Sequence, residues 1–142
     1  MLHALDISAS ALEAQRVRME VISNNIANAQ TTHASRAADG SAVPYRRREV
    51  VFKTLLDRAL EGGGKAQGGV CVDSIQEDRS EFVKEYDPHH PDADAEGYVK
   101  KPNVDVMLEM VDLMEASRAY EANITAMEAA KTMAASSLRL LA

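Results

Sequence analysis

Hydrophobic positions along the chain fall into two periodic stretches separated by an irregular one. Near the N terminus, Leu5, Leu12, Met19 and Ile26 recur every seven residues, with Ile22 on the neighbouring row. That spacing draws a narrow apolar stripe down one side of a helix, suited to packing on a second helix. Ser10-Ala11-Leu12-Glu13 fits a capping box, and a start nearer Leu2 fits the stripe equally well. The run from Asn24 to Asn28 should weaken the helix, because Asn side chains compete for backbone hydrogen bonds. Towards the C terminus the pattern is longer: Val106, Leu113, Tyr120, Met127, Ala134 and Leu141 are each seven apart. Their companion row is Met110, Ser117, Ile124, Lys131 and Leu138, interrupted by its Ser and its Lys. Asn103 or Asp105 can cap the start, with Glu109 near the positive end of the helix dipole. A helix over 105–141 would run roughly 55 Å at 1.5 Å per residue. A globule made of the remaining residues is too small to bury it. It must pair with the N-terminal helix, with other subunits, or with both.

The helix-breaking residues mark where this periodicity stops. All seven Gly lie between Gly40 and Gly97, and all four Pro between Pro44 and Pro102. The chain therefore divides into an N-terminal helical segment 1–32, a middle region 33–102 and a C-terminal helical segment 103–142. In the middle, Tyr45 to Phe52 reads as a strand, residues 53–61 as a short helix, and 62–69 as a Gly-rich flexible loop. Val70 to Ile75 and Glu81 to Tyr86 read as two strands of a hairpin turning around Asp78 to Ser80. Residues 87–102 should form an irregular connection. The predicted fold class is mainly α: long terminal helices in a coiled-coil-like pair, with a small irregular, hairpin-containing middle domain.

Composition narrows the range of functions. Of the 142 residues, 46% are hydrophobic, but 23 are Ala and only six are aromatic, so a thin helix–helix seam is more accessible than a thick core. Sixteen basic against 22 acidic residues give a net charge of −6, which disfavours nucleic acid as a partner. No apolar run approaches the roughly 18 residues of a membrane span, so the chain is not expected to cross a membrane. Asp6, Glu13, Arg16, Arg18 and Glu20 break up any secretory h-region in the first 20 residues. A lone Cys71 excludes an intrachain disulfide and a cysteine-cluster zinc site.

Candidate chemistry is sparse. Asp87-Pro88-His89-His90-Pro91-Asp92-Ala93-Asp94-Ala95-Glu96 carries metal-ligating residue types, but adjacent His side chains between prolines diverge, and a turn-rich connection is the simpler reading. Arg46-Arg47-Arg48 is an isolated basic triplet that alternates across a strand, as a solvated edge or a protein contact does. The triple Gly at 62–64 lacks the Lys-Ser/Thr ending of a phosphate loop. Cys71 stands in an apolar alternation, as a packed thiol does. Five of the seven Met lie in the last segment, as core filler or as a surface that re-packs against non-identical neighbours. No nucleophile, base and orienting group occur together, so neither an enzyme nor a cofactor is expected.

At Ser23-Asn24-Asn25-Ile26-Ala27-Asn28-Ala29 the chain resembles the N-terminal signature of bacterial flagellar axial proteins, the rod and hook family. Leu5 to Ile26, Tyr45 to Phe52, Tyr86-Asp87-Pro88 through Gly97-Tyr98-Val99, and Pro102-Asn103-Val104-Asp105-Val106 are similar to proximal-rod members of that family. So are Glu109-Met110-Val111-Asp112 and Ala116-Ser117-Arg118-Ala119-Tyr120-Glu121-Ala122-Asn123. Departures lie at residues 33–43, at 62–69, and at Arg79 and Glu81. The resemblance implies a non-enzymatic structural subunit of a hollow shaft that carries motor torque to the hook. It implies terminal helices that are disordered in the free monomer and order on assembly. Implied partners are copies of the chain, other rod proteins and, during secretion, the flagellar type III export apparatus, which uses no cleaved signal peptide. Assembly contacts are then expected at Leu5, Leu12, Met19, Ile22, Ile26, Met110, Leu113, Tyr120, Ile124 and Met127. Amides at Asn24, Asn25 and Asn28 would fix register between subunits, or simply fray the helix end. The competing reading of the same heptads is a cytoplasmic coiled-coil adaptor or export chaperone.

Overall fold

Two long helices frame the chain, as the segregation of Gly and Pro predicts. The computed structural model describes residues 2–36, 38, 41–55 and 68–141, and of residues 2, 140 and 141 the backbone alone. Helix α1 spans Leu2–Ala27 and α2 spans Val106–Leu141. Helix α1 passes straight through the proposed capping box. Ser10 Oγ instead donates to the Ile7 carbonyl at 2.7 Å, one turn back inside the helix. The helix ends in the Asn run, where Asn28 Nδ2 donates to the Asn24 carbonyl at 2.9 Å and closes the last turn. At the start of α2, Asp105 is the cap: its Oδ1 accepts from the backbone N–H of Met107 at 2.9 Å. Asn103 is occupied elsewhere.

Burial along α2 corrects the predicted companion row. Met110, Ile124, Lys131 and Leu138 are exposed, whereas Glu109, Ala116 and Ala130 are buried, and Asn123 is half-buried on the same sevenfold row. The inner row thus lies one residue earlier and is built from small and polar side chains, which bring a neighbouring backbone close. The other predicted row, Val106, Leu113, Tyr120, Met127 and Ala134, is half-buried; the side chain of Leu141 lies outside the described residues. On α1 the buried positions are Ala14, Val21, Ile22 and Asn25, beside the half-buried stripe of Leu5, Leu12, Met19 and Ile26.

The chain forms two compact units, each drawing on both helices. The first comprises Met1–Glu20, Val50–Ile75 and Leu113–Ala142. In it, Arg18 of α1 reaches Glu115 of α2 at 3.7 Å. Strand β3 (Arg48–Thr54) pairs with β4 (Val70–Glu77); labels here follow chain order after β1 (Ser35–Arg36) and β2 (Ala42–Val43). The expected strand at 45–52 is displaced by three residues, because Tyr45, Arg46 and Arg47 bond elsewhere and ladder pairing begins only at Arg48. Of the expected helix at 53–61, β3 takes the start, Leu55 is helical, and 56–61 lie outside the described residues, as do 62–67 of the Gly-rich loop.

Gly69 is held at φ +135°, and a Cβ there would meet Ser10 Oγ at 2.7 Å and Leu55 Cδ1 at 2.9 Å. That oxygen also accepts the N–H of Val70 at 3.2 Å, so it cannot move without breaking a bond. Gly69→Ala should therefore cost about 2 kcal/mol of stability, read by chemical denaturation. Gly68→Ala is the control, since its Cβ would meet only the flexible tip of Ile7, at 3.2 Å.

The second unit comprises Val21–Glu49 and Gln76–Asp112. Here β5 (Val83–Tyr86) pairs antiparallel with β6 (Tyr98–Lys101), matching Val83 with Lys101 and Tyr86 with Tyr98. The predicted hairpin of β4 with β5 does not form, and the supposed irregular connection supplies β6. Two long-range captures explain the difference. Arg46 donates to the carbonyls of Asp78 at 2.9 Å and Ser80 at 3.1 Å, and Asn103 Nδ2 donates to Ser80 Oγ at 2.7 Å. These bonds lead the chain away from β4 after its turn. Asp94 Oδ1 then accepts the N–H groups of Glu96 and Tyr98, and Gly97 at φ +84° closes the turn that returns β6 to β5. The Tyr86 and Tyr98 rings meet edge to face, 5.3 Å between centroids. A short β1–β2 ribbon completes the unit, pairing Ser35 with Val43 and Arg36 with Ala42.

Candidate functional site

The chemistry of this chain is concentrated in a buried polar hub of the second unit. Near its C-terminal end α1 turns Asn25 inward beside buried Val21 and Ile22, and the first turn of α2 turns Glu109 inward. The segment 45–48 joins them. Asn25 Nδ2 donates to Glu109 Oε2 at 3.0 Å and to the Arg48 carbonyl at 2.8 Å. Its Oδ1 accepts from the Tyr45 hydroxyl at 2.9 Å and from the Arg48 N–H at 3.0 Å. Two donors and two lone pairs are the full capacity of an amide, so Asn25 is saturated within the chain. Expected as a contact between subunits, it is spent on internal order.

Arg47 supplies the charge that makes burial of Glu109 tolerable. Its Nε donates to Glu109 Oε1 at 2.6 Å, and its outer nitrogens approach Glu49, Asp78 (3.8 Å) and Asp112 (3.7 Å). Burial alone would lower the Arg47 pKa. The bond and charge of Glu109, with Glu49 behind them, outweigh that and raise it, so the guanidinium stays charged. Burial pushes the Tyr45 hydroxyl above its ordinary range, opposed by Arg48 and reinforced by Glu109 and Glu77, so Tyr45 serves as a neutral donor. The Arg47 N–H donates to Asn103 Oδ1 at 2.9 Å, which ties the residue just before α2 into the same centre.

The arginine triplet is therefore no alternating strand edge. Arg46 caps the 78–80 turn and lies over the Phe82 ring at 4.3 Å. Arg47 enters the hub, and Arg48 stacks over Tyr45 at 5.7 Å with Glu77 at 3.9 Å. The acidic stretch 87–96 is likewise built of turns. Asp92 accepts from Thr32 Oγ1 at 2.8 Å and faces His33 Nδ1 at 3.4 Å, while the Asp92 N–H donates to His90 Nδ1 at 3.1 Å. Among the described residues, no three His, Cys, Asp or Glu side chains are grouped to hold a metal ion. Half-buried Cys71 points its Sγ at the Lys53 carbonyl, 3.5 Å away.

Two carboxyls of this unit carry a pH signature. The backbone N–H and hydroxyl of Ser80, with Arg47 and Arg46, hold Asp78 below the ordinary Asp range; Thr32 and His33 do the same for Asp92. A depressed folded pKa gives stability that is present above the unfolded value, about 3.9, and lost as pH falls through the lower folded one. The denaturation midpoint should hold from pH 7 to about 5 and fall below about 4. Asp78→Asn should flatten that acid limb; an unchanged slope would remove Asp78 from the account.

Of the stripe residues expected at assembly contacts, Leu5, Leu12, Met19, Ile26, Leu113, Tyr120 and Met127 are half-buried, as is Asn28. Ile22 and Asn25 are buried; Asn24, Met110 and Ile124 are exposed. Sequence reasoning missed the hub, although one signal was present: Glu109 stands seven residues before Ala116 on a row of small residues. It also missed the outward apolar face at the start of α2, where Met107 (72% exposed), Leu108, Val111 and Met114 lie open.

Comparison with known proteins agrees with this architecture at both ends. Residues 5–34 match the flagella basal body rod protein family, and residues 95–140 match the flagellar basal body rod FlgEFG protein C-terminal family. The flagellar basal-body rod protein FlgC of Bacillus subtilis (strain 168) is 51% identical over 145 residues, spanning 97% of this chain and 96% of the relative. FlgC of Salmonella typhimurium (strain LT2) is 44% identical, spanning 99% and 97%; that of Borreliella burgdorferi is 42% identical, spanning 97% and 95%. Among the described residues, no helix is long and apolar enough to cross a membrane. With both terminal helices matched and identity running nearly end to end, the chain belongs to the FlgC family of flagellar basal-body rod proteins.

Proposed function

We propose that this chain is a structural subunit of the flagellar rod, polymerising with copies of itself and other rod proteins into the hollow shaft that carries motor torque to the hook. Nearly full-length identity to FlgC relatives carries the reading. In it, 1–32 and 103–142 are the axial helices and 33–102 the middle region. The half-buried rows through Leu12, Met19, Ile26, Leu113, Tyr120 and Met127 meet neighbouring subunits in coiled-coil fashion, joined by exposed Met110 and Ile124. Unbranched Met side chains suit contacts with non-identical neighbours, because they re-pack at little cost. Asn24 and Asn28 remain candidates for bonds between subunits, whereas Asn25 acts from inside. Secretion through the flagellar type III apparatus accounts for how such a subunit passes the inner membrane without a cleaved leader. The work of the site is mechanical: its polar atoms fix one chain geometry, and none is arranged for a reaction.

Deleting the gene should give non-motile cells whose purified basal bodies lack a rod, restored by the intact gene. Motile cells with normal basal bodies would overturn the proposal. A soluble complex with another flagellar protein, never incorporated into a rod, would favour an export chaperone.

A further inference from the structure

We infer that the hub is a latch dividing each long helix into a held part and a releasable part, with the boundaries inside the helices. The first unit, containing residues 2–20 of α1 and 113–141 of α2, has a weak interior. Among its described residues the only fully buried side chains are Ala14, Ala116 and Ala130. An Ala methyl removes little apolar area from water, and the larger side chains of this unit are at most half-buried. The second unit contains residues 21–27 and 106–112 of the same helices. There Val21, Ile22 and Tyr45 are buried, and Asn25 and Glu109 are joined in the saturated hub. Leaving part of that network unpaired is costly, so it opens as one event. A segment opens locally at a free energy set by its own burial and bonds. The last turn of α1 and the first turns of α2 should therefore stay closed while the rest of each helix opens and recloses. Continuous helical geometry conceals this difference. The inference concerns the free monomer and does not depend on the assembly reading.

The test is peptide-resolved hydrogen exchange on full-length protein, diluted until sedimentation shows monomer only. Residues 21–27 and 106–112 should exchange at least about tenfold more slowly than 5–20 and 113–135. Glu109→Gln, which keeps the shape but loses the charge on Arg47, should abolish most of that protection and leave 5–20 and 113–135 within about twofold of wild type. Should Glu109→Gln fail to fold, Tyr45→Phe removes a single hub bond and should produce the same localised change at smaller size. Equal protection along the whole of each helix would overturn the latch. So would variants that speed exchange everywhere alike.

Discussion

Glu109→Ala is expected to lower the free energy of unfolding by about 3 kcal/mol, a large share of the stability of a chain this size. The carboxylate is fully buried and accepts from Asn25 and Arg47 through separate oxygens. Its removal leaves an amide N–H without an acceptor, a guanidinium without its innermost partner, and a cavity between α1 and the start of α2. The cost falls at the low end for a broken buried pair, because Arg47 still has Glu49, Asp78 and Asp112 within reach. Glu109→Gln should cost less, since one acceptor survives. The measurement is the denaturant midpoint followed by far-ultraviolet circular dichroism on dilute protein. A variant that melts with wild type would mean that the hub is bystander geometry.

A larger effect on the assembled structure is expected from Leu113→Asp. Leu113 is half-buried on the row shared with Tyr120 and Met127, so a neighbour that covers this row would bury the new carboxylate with no cation opposite. Breaking the seam in that way costs several kcal/mol per contact and recurs at each copy along a tube. We expect synthesis and secretion of the variant to persist while rods fail to form. Leu113→Met, which nearly conserves volume, should cost under about 1.5 kcal/mol and keep cells motile. Motility, electron microscopy of basal bodies and a separate secretion assay resolve the three steps. Normal rods built from the Asp variant would show that this row faces solvent after assembly.

Helix existence was legible in the sequence because it depends on local terms. Gly and Pro are confined to residues 40–102, apolar residues recur at sevenfold spacing outside them, and Asp105 stands where a cap must stand. Each of these acts within a few residues of the backbone it controls. Which side of a helix turns inward was less legible. Periodicity marks Met110 and Ile124 as inner positions, but close approach of backbones favours the small row of Ala116 and Ala130, and an Arg from elsewhere makes Glu109 an inner residue. Strand partners were beyond local reading for the same reason. Strand β5 turns to β6 because Arg46 and Asn103, 34 and 23 residues from Ser80, seize the turn before it. The hub has no sequence spacing of its own: Asn25 and Glu109 are 84 residues apart, Arg47 and Glu109 are 62. Such bonds form only once the backbone has brought distant donors and acceptors together. A buried Asn and a buried Glu are stable solely through partners that the folded chain supplies.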